Sequence, residues 1–142
     1  CDLVIAKEST SFIQAFSRIG LIPDSGGTWF LPRLVGMQRA AALAFLGDKL
    51  SALDAVQMGL IYRAIADDAF DNELEQLSNR LAALPTRGIG LTKKAFNAGW
   101  DQPLTTHLTL ERDLQMEASQ TKDYSEGVAA FLEKRPAKFT GQ

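Results

Sequence analysis

Gly20-Leu21-Ile22-Pro23-Asp24-Ser25-Gly26-Gly27-Thr28 is the stretch whose reading decides what this chain becomes. Pro23 fixes one backbone torsion and the glycine pair opens positive ones, which is the chemistry of a tight loop. The apolar run Trp29 to Val35 that follows reads as a helix, so the loop leads straight into a helix start. Asp24 stands at that junction, with Ile19, Leu21, Ile22 and Trp29 as apolar sequence neighbours. Its carboxylate has two readings. As a helix cap it satisfies orphan N–H groups and contributes ~1 kcal/mol. As a buried general base it is held charged but poorly solvated between an apolar surround and the positive end of a helix, which makes a carboxylate reactive.

Working outward towards residue 1, Leu3 to Ala6 and Phe12 to Phe16 read as two short strands divided by the polar stretch Lys7 to Ser11. Towards the other end, Gly36 closes the first helix and Gly47 closes a second over Met37 to Leu46. Ser51, with Asp54 three residues on, opens a third over Ala52 to Met58 that Gly59 ends, and Ile61 to Ala66 returns as a strand. From Asp67 the pattern is helical throughout. Phe70, Leu74, Leu77, Leu81 and Leu84 recur at spacings of four and three, which predicts one buried helix face running up to Pro85. Ile89 to Trp100 and Leu104 to Ser119 follow as helices, the second with Leu104, Leu108 and Leu114 inward and Glu111, Arg112 and Glu117 outward. Asp123 with Glu126 reads as a capping box opening a last helix, with Val128, Phe131 and Leu132 on one stripe, that stops before Pro136. The pattern divides the chain into an α/β segment, 1–66, that carries the loop, and a helical region, 67–142.

Composition narrows the function classes. The 142 residues are 46% hydrophobic and 23% charged, which suffices for one packed domain and argues against disorder. A net charge of −2 with acids and bases interspersed leaves no basic face for nucleic acid or an anionic membrane. One cysteine and one histidine exclude an internal disulfide and the usual zinc spacings. No apolar run approaches the ~20 residues that span a bilayer, and no signal-peptide layout is present. A cytoplasmic, metal-free protein is the expectation. The abrupt opening on Cys1 and an apolar run predicts a piece of a longer protein. His107 has no serine or cysteine partner of obvious role and reads as a packed or surface residue. Gly26 and Gly27 belong to neither of the common phosphate-cradling motifs, so nucleotide hydrolysis finds no support.

The segment Gly20 to Thr28 resembles the (L/I)GxxPxxGGT loop of the crotonase, or enoyl-CoA hydratase/isomerase, superfamily. Cys1 to Ala6, Leu31 to Gly36, Leu46-Gly47, Ser51 to Leu60 and Glu126 to Arg135 are similar to that family in order and spacing. The resemblance covers essentially the whole chain. It implies an α/β fold, the closing part of a ββα spiral followed by a helical region that builds trimers or hexamers. It implies acyl-CoA substrates, with coenzyme A arriving as part of the substrate and no separate cofactor. Two backbone N–H groups that bind the thioester oxygen belong, by the same pattern, to sequence ahead of Cys1.

Within the family, the position of a hydratase glutamate is occupied here by Phe16, whereas Asp24 holds the place of the aspartate in members that shift double bonds and in some dehalogenases. Ile22 to Trp29, Leu110 to Asp113, Asp123-Tyr124 and Phe139 to Gly141 are most similar to the branch of phenylacetate catabolism that converts ring-1,2-epoxyphenylacetyl-CoA to the oxepin-CoA. The resemblance thus implies Asp24 as the proton-transfer base, Phe16, Ile22 and Trp29 as lining of the acyl pocket, and Phe131 and Lys134 as contacts to coenzyme A. As apolar residues beside a loop, the first three read equally as core, and Lys134 equally as a solvated lysine. Hydration, another reaction of the family, and a catalytically incomplete chain that only oligomerises through its helices are the competing readings.

Overall fold

The computed structural model describes residues 1–142, which cluster into two compact units, Cys1–Glu75 and Gln76–Gln142. In the first unit β1 (Ile5–Lys7) pairs in parallel with β4 (Arg63–Ile65), Ala6 lying opposite Ala64. Between them the chain makes β2 (Ser11–Phe12), a 3₁₀ turn (Ala15–Ile19), α1 (Gly27–Val35), α2 (Met37–Leu46), β3 (Leu50–Ser51) and α3 (Ala52–Gln57). β2 and β3 form a two-residue antiparallel pair.

Small side chains set this packing. Ala52 and Ala55, one helical turn apart, are wholly buried and let α3 lie close against Ala6, Leu50 and Ile61. A second cluster of Leu31, Val35 and Ala40 seals α1 against α2, and Leu43, Met58 and Leu60 pack on both clusters. The α3 cap forms as its sequence predicts: Ser51 Oγ accepts from the Asp54 N–H at 3.1 Å and donates to the Asp54 carboxylate at 2.6 Å.

The expected strand over Phe12 to Phe16 is corrected. Pairing ends at Phe12 because β3 offers only two residues to pair with, and the chain then coils into the 3₁₀ turn that contains Phe16. That turn is tied to the end of α2, where Arg18 Nη2 donates to the Gly47 carbonyl at 2.7 Å.

α4 (Phe70–Ala82) carries the boundary between the two units. The buried face expected up to Pro85 is corrected: the helix ends at Ala82, before Leu84, none of its residues is buried, and Leu74 is exposed, because the apolar periodicity marks one face without supplying a layer to cover it. In the second unit α5 (Thr86–Gly99) packs along α6 (Leu104–Ser119), and α7 (Lys122–Leu132) contacts α6. Leu91 and Leu114 are buried, whereas Leu104 and Leu108, expected inward, are exposed. One buried residue in each of α5 and α6 is what a helix yields when only a narrow line of it is covered. No helix of the chain is long and apolar enough to cross a membrane.

Candidate functional site

The loop ahead of α1 is a turn built on two successive positive torsions. The Gly27 N–H donates to the Asp24 carbonyl at 2.7 Å, closing a four-residue turn whose central residues Ser25 and Gly26 have φ of 50° and 81°. Two positive torsions in sequence mark a turn of the mirror-image family, for which glycine and asparagine are the usual residues. Ser25 is therefore strained, by roughly 1–2 kcal/mol. Both glycines sit in tight quarters: a Cβ on Gly26 would lie 3.0 Å from the Phe30 ring, and one on Gly27 would lie 3.2 Å from Pro23 Cβ. The glycine pair thus lets the loop fold back onto the first turn of its own helix.

This geometry removes the capping reading of Asp24. The cap position of α1 is Gly26, and no side chain caps the helix. Asp24 sits one turn earlier, exposed, and the apolar burial expected for it is not supplied by this chain. Its apolar sequence neighbours Ile19, Leu21, Ile22 and Trp29 are themselves 74%, 59%, 77% and 44% exposed. Ile22 and Pro23 also border a groove of about 270 Å³ between α1 and α2, walled by Leu31, Met37, Ala40 and Phe45. Trp29 is held by Arg33, whose guanidinium stacks 3.3 Å from the ring centroid and donates to the Trp29 carbonyl at 3.0 Å. Phe16 is half-buried in the 3₁₀ turn that precedes the loop. The spacing of four residues within one expected helix is the signal that could have found the Arg33 stack.

In the second unit, Phe131 is 82% exposed near the end of α7. Lys134 follows the helix with φ of 54°, the only positive torsion besides Ser25 that is not at glycine. It is the left-handed residue of a Schellman motif: the Arg135 N–H reaches the Ala130 carbonyl at 3.0 Å and the Lys134 N–H reaches Phe131 at 3.2 Å. Glycine is the usual residue there.

The capping-box reading of Asp123 and Glu126 is corrected. Thr121 is the cap of α7, its Oγ1 accepting from the Tyr124 N–H at 3.0 Å, so both carboxylates are released for other partners. Asp123 is 3% exposed and accepts from the Thr140 and Gly141 N–H groups at 2.7 and 2.9 Å. Glu126 takes both Arg135 amino groups, at 2.6 and 3.0 Å, and the Lys138 N–H at 2.8 Å. Those bonds, the Arg135 pair first, hold the Glu126 carboxyl down at about 2 and raise Arg135 above its ordinary range.

Elsewhere Ser9 donates its hydroxyl and backbone N–H to Asp67, keeping that carboxyl below its usual range. His107 joins Gln102 at 2.7 Å and lies 3.5 Å from Glu111, a packed side chain as its sequence context predicts. No group of three or more His, Cys, Asp or Glu side chains is placed to hold a metal ion.

Comparison with known proteins fits this geometry. The profile of the enoyl-CoA hydratase/isomerase family matches residues 1–142. The chain is 50% identical over 141 residues to a protein of Rhodobacter capsulatus named probable enoyl-CoA hydratase, covering 99% of this chain and 55% of that one. It is 49% identical over 141 residues to the 1,2-epoxyphenylacetyl-CoA isomerase of Escherichia coli, covering 99% and 54%. The crystal structure of enoyl-CoA hydratase from Bacillus anthracis superposes with a TM-score of 0.93 at 32% identity, over 100% of this chain and 55% of that one. The chain thus spans about half the length of the relatives it matches. With a loop, a helix order and a profile that agree from end to end, this chain belongs to the enoyl-CoA hydratase/isomerase, or crotonase, family.

Proposed function

We propose that the whole protein is an acyl-CoA isomerase, converting ring-1,2-epoxyphenylacetyl-CoA to the oxepin-CoA and shifting double bonds in related enoyl-CoA thioesters. The observation that carries this reading is Asp24, exposed at the start of the strained turn among apolar sequence neighbours, at the loop position where double-bond-shifting members of the family carry their aspartate. The 49% identity to the Escherichia coli isomerase supports it. In this mechanism the Asp24 carboxylate takes a proton from a carbon conjugated with the thioester, and the electron pair moves onto the thioester oxygen as an enolate; in the epoxide substrate the bond between the two epoxide carbons also breaks, its electrons passing into the double bonds of the expanded seven-membered oxepin ring. Two backbone N–H donors, which the family pattern places ahead of Cys1, hold that oxygen. The same carboxyl then returns its proton at another carbon, so one group serves both steps and no cofactor is consumed. Phe16, Ile22 and Trp29 line the acyl end, while Phe131 and Lys134 reach the coenzyme A portion, commonly that of the substrate on a neighbouring subunit.

Assembly as a trimer or hexamer is part of the same proposal. Its support is the exposed apolar surface of the second unit, where Phe96, Leu104, Leu108 and Met116 are each more than half exposed. Sedimentation of the protein gives the assembly state directly.

The test of the chemistry is turnover of epoxyphenylacetyl-CoA, and of a β,γ-enoyl-CoA, by the whole protein and by its Asp24→Asn variant. Unchanged activity in that variant rejects the assigned base. Hydration stays the second reading because the Rhodobacter capsulatus relative is as similar as the isomerase. Water addition to crotonyl-CoA faster than any double-bond shift would favour it.

A further inference from the structure

Asp123 is the single buried charged residue of the chain, and the proposed chemistry gives it no task. A carboxylate at 3% exposure persists only where donors surround it. Here all the donors come from one place. Oδ1 accepts from the Thr140 N–H and, at 3.4 Å, from its hydroxyl, and Oδ2 accepts from the Gly141 N–H. The Asp123 N–H in turn donates to the Gln142 carbonyl at 3.1 Å. One turn along the same helix, Glu126 grips Arg135 and the Lys138 N–H. Two carboxylates three residues apart therefore bind segment 136–142 back along α7 as a strap.

The strap is seated closely. The Phe139 ring lies over Gly127, 3.5 Å from where a Cβ would stand, and a Cβ on Gly141 would fall 2.5 Å from Thr86 Oγ1 at the start of α5. Between helix and strap, Lys134 stands at φ of 54°, a torsion at which glycine would be less strained. Its neighbour Arg135 is fixed on both sides, by Glu126 and, at 2.6 Å, by Glu133. A side chain kept at a strained position that its surroundings over-determine points to a use for that side chain.

We propose that Asp123 and Glu126 are positioning residues that latch the 136–142 strap and Arg135 so that Lys134 and Phe131 are held in place for the coenzyme A portion of the substrate. This rests on the reading of Phe131 and Lys134 given under the proposed function. The latch touches neither substrate nor reacting atoms. Its contribution is to remove the cost of ordering the α7 terminus when coenzyme A binds.

The test uses the whole protein and free coenzyme A as probe, with calorimetric affinity, hydrogen exchange over 136–142 and steady-state kinetics as readouts. Asp123→Asn places an amide N–H against a backbone donor and opens the strap; Glu126→Gln keeps size but loses the charge that holds Arg135. Both are expected to speed exchange in 136–142, weaken coenzyme A by roughly three- to tenfold, and raise KM with kcat within about twofold. Glu126→Gln, on the more open side of the helix, carries the test if Asp123→Asn is not recovered folded. Lys134→Gly is expected to raise the Tm while weakening coenzyme A, a combination that a purely structural lysine would not give. Faster exchange in 136–142 with unchanged affinity overturns the latch while Lys134→Ala and Phe131→Ala still weaken binding. Should Lys134→Ala and Phe131→Ala leave affinity unchanged, the coenzyme A reading of α7 falls, and the latch with it. Unaltered exchange in both carboxylate variants also overturns it.

Discussion

Ser25 and Lys134 are the two non-glycine residues with positive φ, one in each compact unit, and they are held in different ways. At Ser25 the restraint is main chain: a 2.7 Å bond from Gly27 to Asp24 and two glycines that admit Phe30 and Pro23 at contact distance. At Lys134 the restraint is side chain: Glu126 and Glu133 both hold the adjoining Arg135, while Asp123 anchors the strap beyond it. Main-chain restraint of this kind depends on the absence of atoms and barely on pH. A charged clamp tolerates substitution at its strained residue but depends on protonation. Each site presents a residue that the proposed chemistry uses, Asp24 beside Ser25 and Lys134 itself, so strain at both is consistent with function concentrated there.

Substitutions can break this contrast, and the largest effect belongs to the first site. Asp24→Asn in the whole protein should lower kcat by about 10²–10⁴-fold with little change in Tm, since removal of a general base costs that much and Asp24 caps nothing. A single-turnover assay on the epoxyphenylacetyl thioester reads it. Gly26→Ala comes next. The added methyl meets Phe30 and the backbone stands at φ of 81°, so thermal or urea unfolding should show a loss of about 2 kcal/mol.

Acid should sharpen the difference between the sites. The Glu126 carboxyl is lowered from 4.5 to about 2, so its contribution is fully present above the unfolded value and is lost as pH falls through the folded one. Protection of the 136–142 amides, corrected for the intrinsic pH dependence of exchange, should therefore fall progressively from about pH 4.5 down to about pH 2, and Glu126→Gln should lessen that dependence. The turn at Ser25 should show no matching transition of its own. Smallest of all, Ser25→Gly relieves a strained torsion but frees the unfolded chain, and the two nearly cancel, leaving stability within about 0.5 kcal/mol of the parent. A shift several times larger, in either direction, would mean that Ser25 makes a contact beyond its backbone.

Much of the fold could be read from residues alone, and the pattern of success has a cause. α2, from Met37 to Leu46, and α6, from Leu104 to Ser119, begin and end where their breakers and periodicity place them, and Ser51 caps α3 as its spacing predicts. These are local features, fixed within a few bonds of the residues that signal them. Phe12 to Phe16 failed as a strand because a strand exists only as far as its partner does, and that partner is two residues nearly forty positions away. Leu104 and Leu108 carry the same apolar periodicity as Leu114, yet only Leu114 is buried. Periodicity tells which residues share a face, not whether anything covers it. Asp123 and Glu126 matched one helix-start template while Thr121 took the cap, and the spacing could not rank the two because both satisfy orphan N–H groups equally well on paper.

By itself, then, the sequence determined the order of the helices, because glycines, caps and apolar spacing act over short stretches of chain, and its motifs carried the family resemblance that nominates Asp24 as the candidate base. Tertiary structure alone decided that β2 stops at Phe12, where its partner β3 ends, and that Asp123 is buried under residues 140 and 141. Those outcomes depend on which atoms meet across a fold, and a carboxylate finds its donors only after the backbone that carries them has been brought to it.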